Sequence, residues 1–286
     1  MKNFLLGSLL TLLLIFTTLP VYAANIQIKV DGIAVTSDVE PEIINNRTMV
    51  PVRVISENLG AKVNWSNSEV TLTKNNMQVK LKLNSITAVK NGKEVPLDMK
   101  PYIKNNRTMV PLRFLAETFG SNVNYRNFTV TVDTEPMFID GVKVKALQYE
   151  YHMTMGGVVQ QIKGNTYNKA IYNMFLENKG NKVEAPASYA WHPNIDIPGF
   201  YYKNAQYDFL DIKGNSIKRF DIYSLLTSPF PGETMMEYPG YPEFLLHDAT
   251  ANQWYLFSDT ARQSINQLID TAAKNGFLEV ISNTVV

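Results

Sequence analysis

Few residues in this chain have the type and spacing to do chemistry. Its three histidines, His152, His192 and His247, all lie in the second half. No two of them stand at a ligand spacing such as His-x₃-His, so scattered histidines are expected, not a metal site. Asp208, Asp211, Asp221, Glu150 and Glu237 are the carboxylates available for acid–base work. The first two fit better on solvated strand edges beside the Lys213-Gly214-Asn215 turn. Ser258 or Ser224 with His247 and Asp248 would make a nucleophile, a base and an orienting acid. Neither serine lies in a Gly-x-Ser-x-Gly elbow, and Ser258 with Asp259 reads more simply as a helix cap. Gly156-Gly157 lacks the lysine and the strand-to-helix context of a phosphate loop. No catalytic residue, metal ligand or cofactor is assigned.

Aromatic residues are the other resource. Tyr189, Trp191, Phe200, Tyr201, Tyr202 and Tyr207 crowd into a proline-rich stretch. Rings in loops are what sugars and peptides stack on, although filling the core is the plainer use for them. If a ligand is bound there, Trp191, Tyr201 and Tyr202 are the expected contacts.

The 286 residues suffice for about two domains with real cores. Basic and acidic side chains number 27 and 26, which gives no electrostatic case for nucleic acid or an anionic membrane. The absence of cysteine excludes disulfides, thiolate metal sites and cysteine nucleophiles. Lys2, the apolar run from Phe4 to Leu19 and the Val21-Tyr22-Ala23 pattern predict a signal peptide over 1–23, cleaved after Ala23. An uncleaved anchor is the alternative, since the run approaches spanning length. No later segment is apolar enough to span a bilayer, so the expected location is secreted or extracellular, in association with the cell wall. A secreted chain without cysteine points to a Gram-positive exporter.

What positions these residues begins with an internal duplication. Asn45-Asn46-Arg47-Thr48-Met49-Val50-Pro51 recurs letter for letter as Asn105 to Pro111. The same offset relates Asp31-Gly32 to Asn91-Gly92, Glu57 to Glu117, Gly60 to Gly120 and Trp65 to Tyr125. Asp-Gly and Asn-Gly predict hairpins, and the Asn-Asn pairs predict a second turn with positive φ. Pro51 and Pro111 suit a first helical turn, and Gly60 and Gly120 a C-terminal cap. Val52, Ile55 and Leu59, matched by Leu112, Leu115 and Phe119, form the buried helix stripe. Arg53 and Glu57, like Arg113 and Glu117, face the other way. Arg47 and Arg107 read as structural members of the motif. Val79 and Leu81 alternating with lysines predict a half-buried strand between the copies. A lone unit of about 60 residues buries only about 60% of its unfolded surface, so the copies are expected to pack on each other.

The two units resemble the copper amine oxidase N-terminal-like (stalk) domain. The resemblance rests on Asn105 to Glu117 and on its counterpart at 45–57, and it covers about residues 26–134. The family usually has Gly where this chain has Asn46 and Asn106, which also tolerate positive φ. The resemblance implies an antiparallel sheet wrapped against a helix and a non-catalytic accessory role. It does not imply oxidase chemistry, because such oxidases need a quinone-forming tyrosine and three histidine ligands in a separate catalytic domain. Asn124-Tyr125 echoes the cofactor dipeptide only faintly and occupies the Asn64-Trp65 position of the other copy.

From about Met137 the pattern stops. Asp140-Gly141 predicts a hairpin whose second strand runs from Lys145 to His152, and Tyr167 to Glu177 is helix or strand. Ala261, Ile265, Leu268, Ile269 and Ala272 give a helical stripe ending before Gly276, and Phe277 to Ile281 a last strand. The expected class is α+β. It comprises stalk-like repeats over 24–76 and 77–135, each an antiparallel sheet with a helix, and a loop-rich α+β domain over 136–286. The expected function is a secreted, non-catalytic cell-envelope protein with repeats for attachment or assembly. Its C-terminal domain would bind a cell-wall polymer, peptide or envelope protein. The alternative is an extracellular hydrolase with its active site in that domain.

Overall fold

A computed structural model describes residues 26–153, 155–227 and 238–285. The signal-peptide segment and Glu237 lie outside the described residues. The first copy runs β1 (Gln27–Val30), β2 (Ile33–Ala34), β3 (Glu42–Ile44), β4 (Arg47–Pro51), α1 (Val52–Asn58), β5 (Lys62–Ser66) and β6 (Glu69–Lys74). Strand β7 (Met77–Lys82) then leads into the second copy. That copy runs β8 (Thr87–Lys90), β9 (Lys93–Pro96), β10 (Tyr102–Lys104), β11 (Arg107–Pro111), α2 (Leu112–Thr118), β12 (Asn122–Arg126) and β13 (Thr129–Asp133). Asn45 and Asn46 turn at φ of 49° and 59°, and Asn105 and Asn106 at 46° and 61°. Asparagine visits this left-handed region at lower cost than most residues because its short side chain bonds locally. Pro51 and Pro111 sit one residue earlier than expected, as extended N-caps at ψ near 120° that end the strands. Gly60 and Gly120 occupy the left-handed position after each helix. There Ala61 N donates to Ser56 O and Ser121 N to Ala116 O, both at 2.8 Å, closing a Schellman cap.

The copies are interleaved. Strands β4 and β11 pair antiparallel with Val50 opposite Val110, its own counterpart, so a pseudo-twofold axis passes through that pair. Met49 opposes Pro111 and Pro51 opposes Met109, as that symmetry requires. Strand β13 of the second copy pairs in parallel with β1 of the first, and β6 reaches β8 through β7. Arg47 approaches Asp98 to 2.7 Å and Arg107 holds Asp38, so each copy's arginine grips the other's aspartate. Both pairs are about half exposed, which limits each to roughly 0–1 kcal/mol. The helix stripes fill the core between them, with Ile55, Leu59, Leu112 and Leu115 at 1% exposure or less.

The C-terminal half opens with a short hairpin, β14 (Phe138–Ile139) and β15 (Val142–Lys143). Then come β16 (Ala146–Met153), β17 (Gly156–Ile162), α3 (Asn165–Glu177), β18 (Lys182–Val183), β19 (Tyr189–Ala190), β20 (Tyr201–Leu210) and β21 (Ser216–Leu225). The chain finishes with β22 (Phe244–Asp248), β23 (Gln253–Phe257), α4 (Asp259–Lys274) and β24 (Leu278–Asn283). The fold is α+β. One sheet of nine strands takes the order β18-β23-β22-β21-β20-β16-β17-β24, with β19 added in parallel at β20. The Asp140-Gly141 hairpin is therefore separate from β16, which pairs instead with β17. Residues 167–177 are helical because Tyr167, Ile171 and Phe175 recur every four residues and all are buried.

Both helices cover one face of this sheet. Ile171, Phe175, Ile265 and Ala272 pack with Phe209, Phe220, Ile222 and Leu246 in a core continuous with that of the repeats. Polar contacts also join the halves. The Asp31 carboxylate accepts from Thr134 N at 2.9 Å and from Asn165 N at 3.0 Å, capping α3 from the first hairpin. Tyr167 OH donates to Asn58 Oδ1 at 2.9 Å and accepts from Asn275 Nδ2 at 2.8 Å.

Candidate functional site

The face of the nine-stranded sheet away from the helices carries a row of polar residues. In an antiparallel sheet, directly opposed residues point to the same side. Glu150 opposes Gln206, Gln206 opposes Asp221, Asp221 opposes His247 and His247 opposes Trp254. One line therefore crosses β16, β20, β21, β22 and β23. A bulge between Lys203 and Ala205 keeps Lys203 on this side, opposite Tyr223.

Asp221 is fully buried at the centre. Arg219 reaches it with Nε to Oδ1 and Nη2 to Oδ2, both 2.9 Å, a bidentate clamp. Lys203 Nζ stands 3.2 Å from Asp221 Oδ2 and 3.3 Å from Gln206 Oε1. Burial, the largest influence on the Asp221 carboxyl, pushes it up. The hydrogen bonds and charges of His247, Arg219 and Lys203 outweigh that and hold it below the usual carboxylate range. His247 Nδ1 lies 3.6 Å from Asp221 Oδ2, longer than a hydrogen bond, so its influence is mainly electrostatic. Burial also depresses the Lys203 ammonium, against the opposing pull of Asp221.

Aromatic walls surround the charges. Trp191, directly after β19, stacks on His152 with centroids 4.0 Å apart and planes 11° apart. Lys203 Nζ lies 4.5 Å from the Trp191 ring and 5.6 Å from that of Tyr223. His152 is tied to Glu150 at 2.9 Å, and His192 lies 5.8 Å from it, ring to ring. His247 stacks on Trp254 at 4.4 Å. Tyr189, 45% exposed, stands edge-on to Tyr223 and Trp254. The arrangement is a set of fixed rings with donors and acceptors between them.

The structure sorts the residues named from sequence. Trp191 is on this face and half-buried. Tyr201 lies beneath the surface at 2% exposure, with its hydroxyl donating to Pro242 O at 2.6 Å. Burial raises that hydroxyl to about 12. Tyr202 opposes Ser224 and so alternates to the helix side. Asp208 is buried and bonded by Gln206 and Ser216, whereas Asp211 closes the 211–215 turn. The Ser–His–Asp set is not assembled. Ser258 Oγ caps α4, Ser224 bonds Asn204, and Asp248 alternates with His247 to the other face, where Lys179 and Lys218 hold it. Among the described residues no group of three or more His, Cys, Asp or Glu is placed to hold a metal ion. Sequence reasoning passed over Lys203, Arg219, Tyr223 and Trp254. Arg219-x-Asp221 at strand spacing, and a lysine inside an aromatic run, were the available signals.

Residues 29–134 match the family model described as the copper amine oxidase N-terminal domain. That single match spans both copies and ends before the nine-stranded sheet. No curated protein and no solved structure matches the chain. Among the described residues no helix is long and apolar enough to cross a membrane.

Proposed function

We propose that this is a secreted, non-catalytic cell-envelope protein whose C-terminal sheet face binds a wall polymer through the Tyr189–Trp191 segment, while the interleaved repeats serve attachment or assembly. The observation that carries the reading is the fixing of the Trp191 ring. Stacking on His152 and the Lys203 charge over it hold the ring before any ligand arrives, which lowers the entropic cost of docking a sugar or peptide against it. Tyr189, half-exposed next to it, extends the platform. Each carboxylate on the face is engaged by a neighbour, which suits hydrogen bonding better than acid–base turnover. Secretion is read from the 1–23 signal pattern, and the Gram-positive wall from a secreted chain without cysteine.

The test is a pull-down of the full mature chain with purified cell walls. Trp191→Ala and Tyr189→Ala are expected to weaken binding about tenfold without changing the melting temperature by more than a few degrees. Unchanged affinity in both folded variants would refute the assignment. One observation favours the hydrolase reading: Lys203 carries a depressed ammonium in an aromatic-lined polar cluster, a signature also found at catalytic sites. Release of soluble fragments from the same walls, abolished by Lys203→Met, would select it.

A further inference from the structure

A second site lies where the repeats meet the C-terminal half. A cleft of about 830 Å³ opens between the ends of α1 and α2, the β6–β7 turn and the start of α3. Its chemistry differs from that of the aromatic face. Five asparagines line it: Asn75, Asn76, Asn91, Asn165 and Asn173. Asn91 and Asn165 are engaged, with Gln78 N at 2.8 Å and Thr134 Oγ1 at 3.3 Å respectively. The side chains of Asn75, Asn76 and Asn173 make no hydrogen bond among the described residues. Each presents both a donor and an acceptor, the complement of a hydroxyl group.

Two lysines share the cleft. Lys169 is paired with Glu135 at 3.2 Å. Lys74 makes no ion pair among the described residues. Its ammonium has only a long contact, 3.5 Å, to the Phe119 carbonyl, and lies 5.9 Å from the Phe119 ring. Glu117 and Glu135 also line the cleft, and Glu135 and Asp31 attract Lys74 from a distance. Among the described residues none of them comes within ion-pair reach of its ammonium, which leaves that half-buried charge room for an anion. Burial first, then the charge of Lys169, holds Lys74 below the usual lysine range against the weaker pull of Glu135 and Asp31. Position 74 corresponds to Thr134 in the other copy, so the duplication itself has no need of a lysine there.

We infer that this cleft binds an acidic sugar unit, with its phosphate or carboxylate on Lys74 and its hydroxyls on Asn75, Asn76 and Asn173. Such a ligand would touch both halves of the chain at once, through β6 and α3. The site is independent of the Trp191 face.

The experiment is calorimetric titration of the full mature chain with glucose 6-phosphate, glucuronate, glucose and inorganic phosphate. At least one of the two acidic sugars is expected to bind at least about tenfold more tightly than glucose and than inorganic phosphate. Whichever wins identifies the anionic group. Lys74→Met, which keeps the buried stem, and Asn173→Ala, at an exposed helix position, should each weaken binding, the former by about tenfold or more. Trp191→Ala should leave it unchanged. Failure of both acidic sugars to bind at millimolar concentration overturns the inference. So does equal binding of glucose, equal binding of inorganic phosphate, or indifference to both cleft substitutions. Loss of binding in Trp191→Ala would move the ligand to the aromatic face and equally reject the cleft.

Discussion

Replacing Asp221 by Asn tests whether the polar row is held together by charge. The change is nearly isosteric, so the packing around the side chain is kept while one negative charge is lost. At 3.2 Å, and with an effective dielectric constant of about 20, the Lys203–Asp221 attraction is about 5 kcal/mol before desolvation is subtracted. Lys203 is only 6% exposed, so without Asp221 it becomes a buried charge with no close counter-ion. Breaking such a pair costs roughly 3–5 kcal/mol. At about 2–4 °C per kcal/mol for a chain of this size, the melting temperature should fall by roughly 6–20 °C. Arg219, about one third exposed, can turn to water and adds little to the loss. The decisive measurement is a calorimetric double-mutant cycle with Lys203→Met. The double variant should recover most of the loss, because the orphaned ammonium goes with its partner and Met lies comfortably against Trp191. If Asp221→Asn costs under about 0.5 kcal/mol, or the double variant is no more stable than the single one, the charge argument is wrong.

Further predictions concern acid stability and the joints between units. The Asp221 carboxyl is depressed in the fold, so its contribution is present above the unfolded pKa, near 4, and is lost as pH falls through the folded value. Wild type should therefore lose more stability below about pH 4 than Asp221→Asn does, which acid melts will show. Asp31→Ala removes the distant cap of α3 and should cost about 2 kcal/mol, with faster amide exchange in residues 165–168. Asn91→Ala, at the equivalent turn of the other copy, shares the cost of alanine at positive φ but frees only one exposed backbone donor, so it should cost less than Asp31→Ala. Arg47→Ala and Arg107→Ala should each lower stability by at most about 1 kcal/mol, and more steeply at low salt. A larger effect in chemical denaturation would mean that the reciprocal pairs act as a buried network.

The duplication, its turns and its helix ends were legible in the sequence because each depends on local backbone preference. Asn45-Asn46 and Asp31-Gly32 favour positive φ wherever they stand, and Gly60 ends a helix because few other residues fit the left-handed position. The burial of Ile55, Leu59, Ile265 and Ala272 was legible too, since helical periodicity announces a face. How the copies interleave was not. That Val50 lies on an axis opposite Val110, and that Arg47 pairs with Asp98 and not with its own copy's Asp38, are matters of which strands meet across tens of residues. The same holds for the candidate site. Lys203, Asp221, His247 and Trp254 are far apart in the chain, and strand register alone sets them side by side. A shift of one residue in that register would turn each to the helix face, where the same side chains would be unpaired in an apolar core. Residue type told which groups could bond; only the tertiary pairing decided which ones do, because directly opposed residues share a face whatever their distance in sequence.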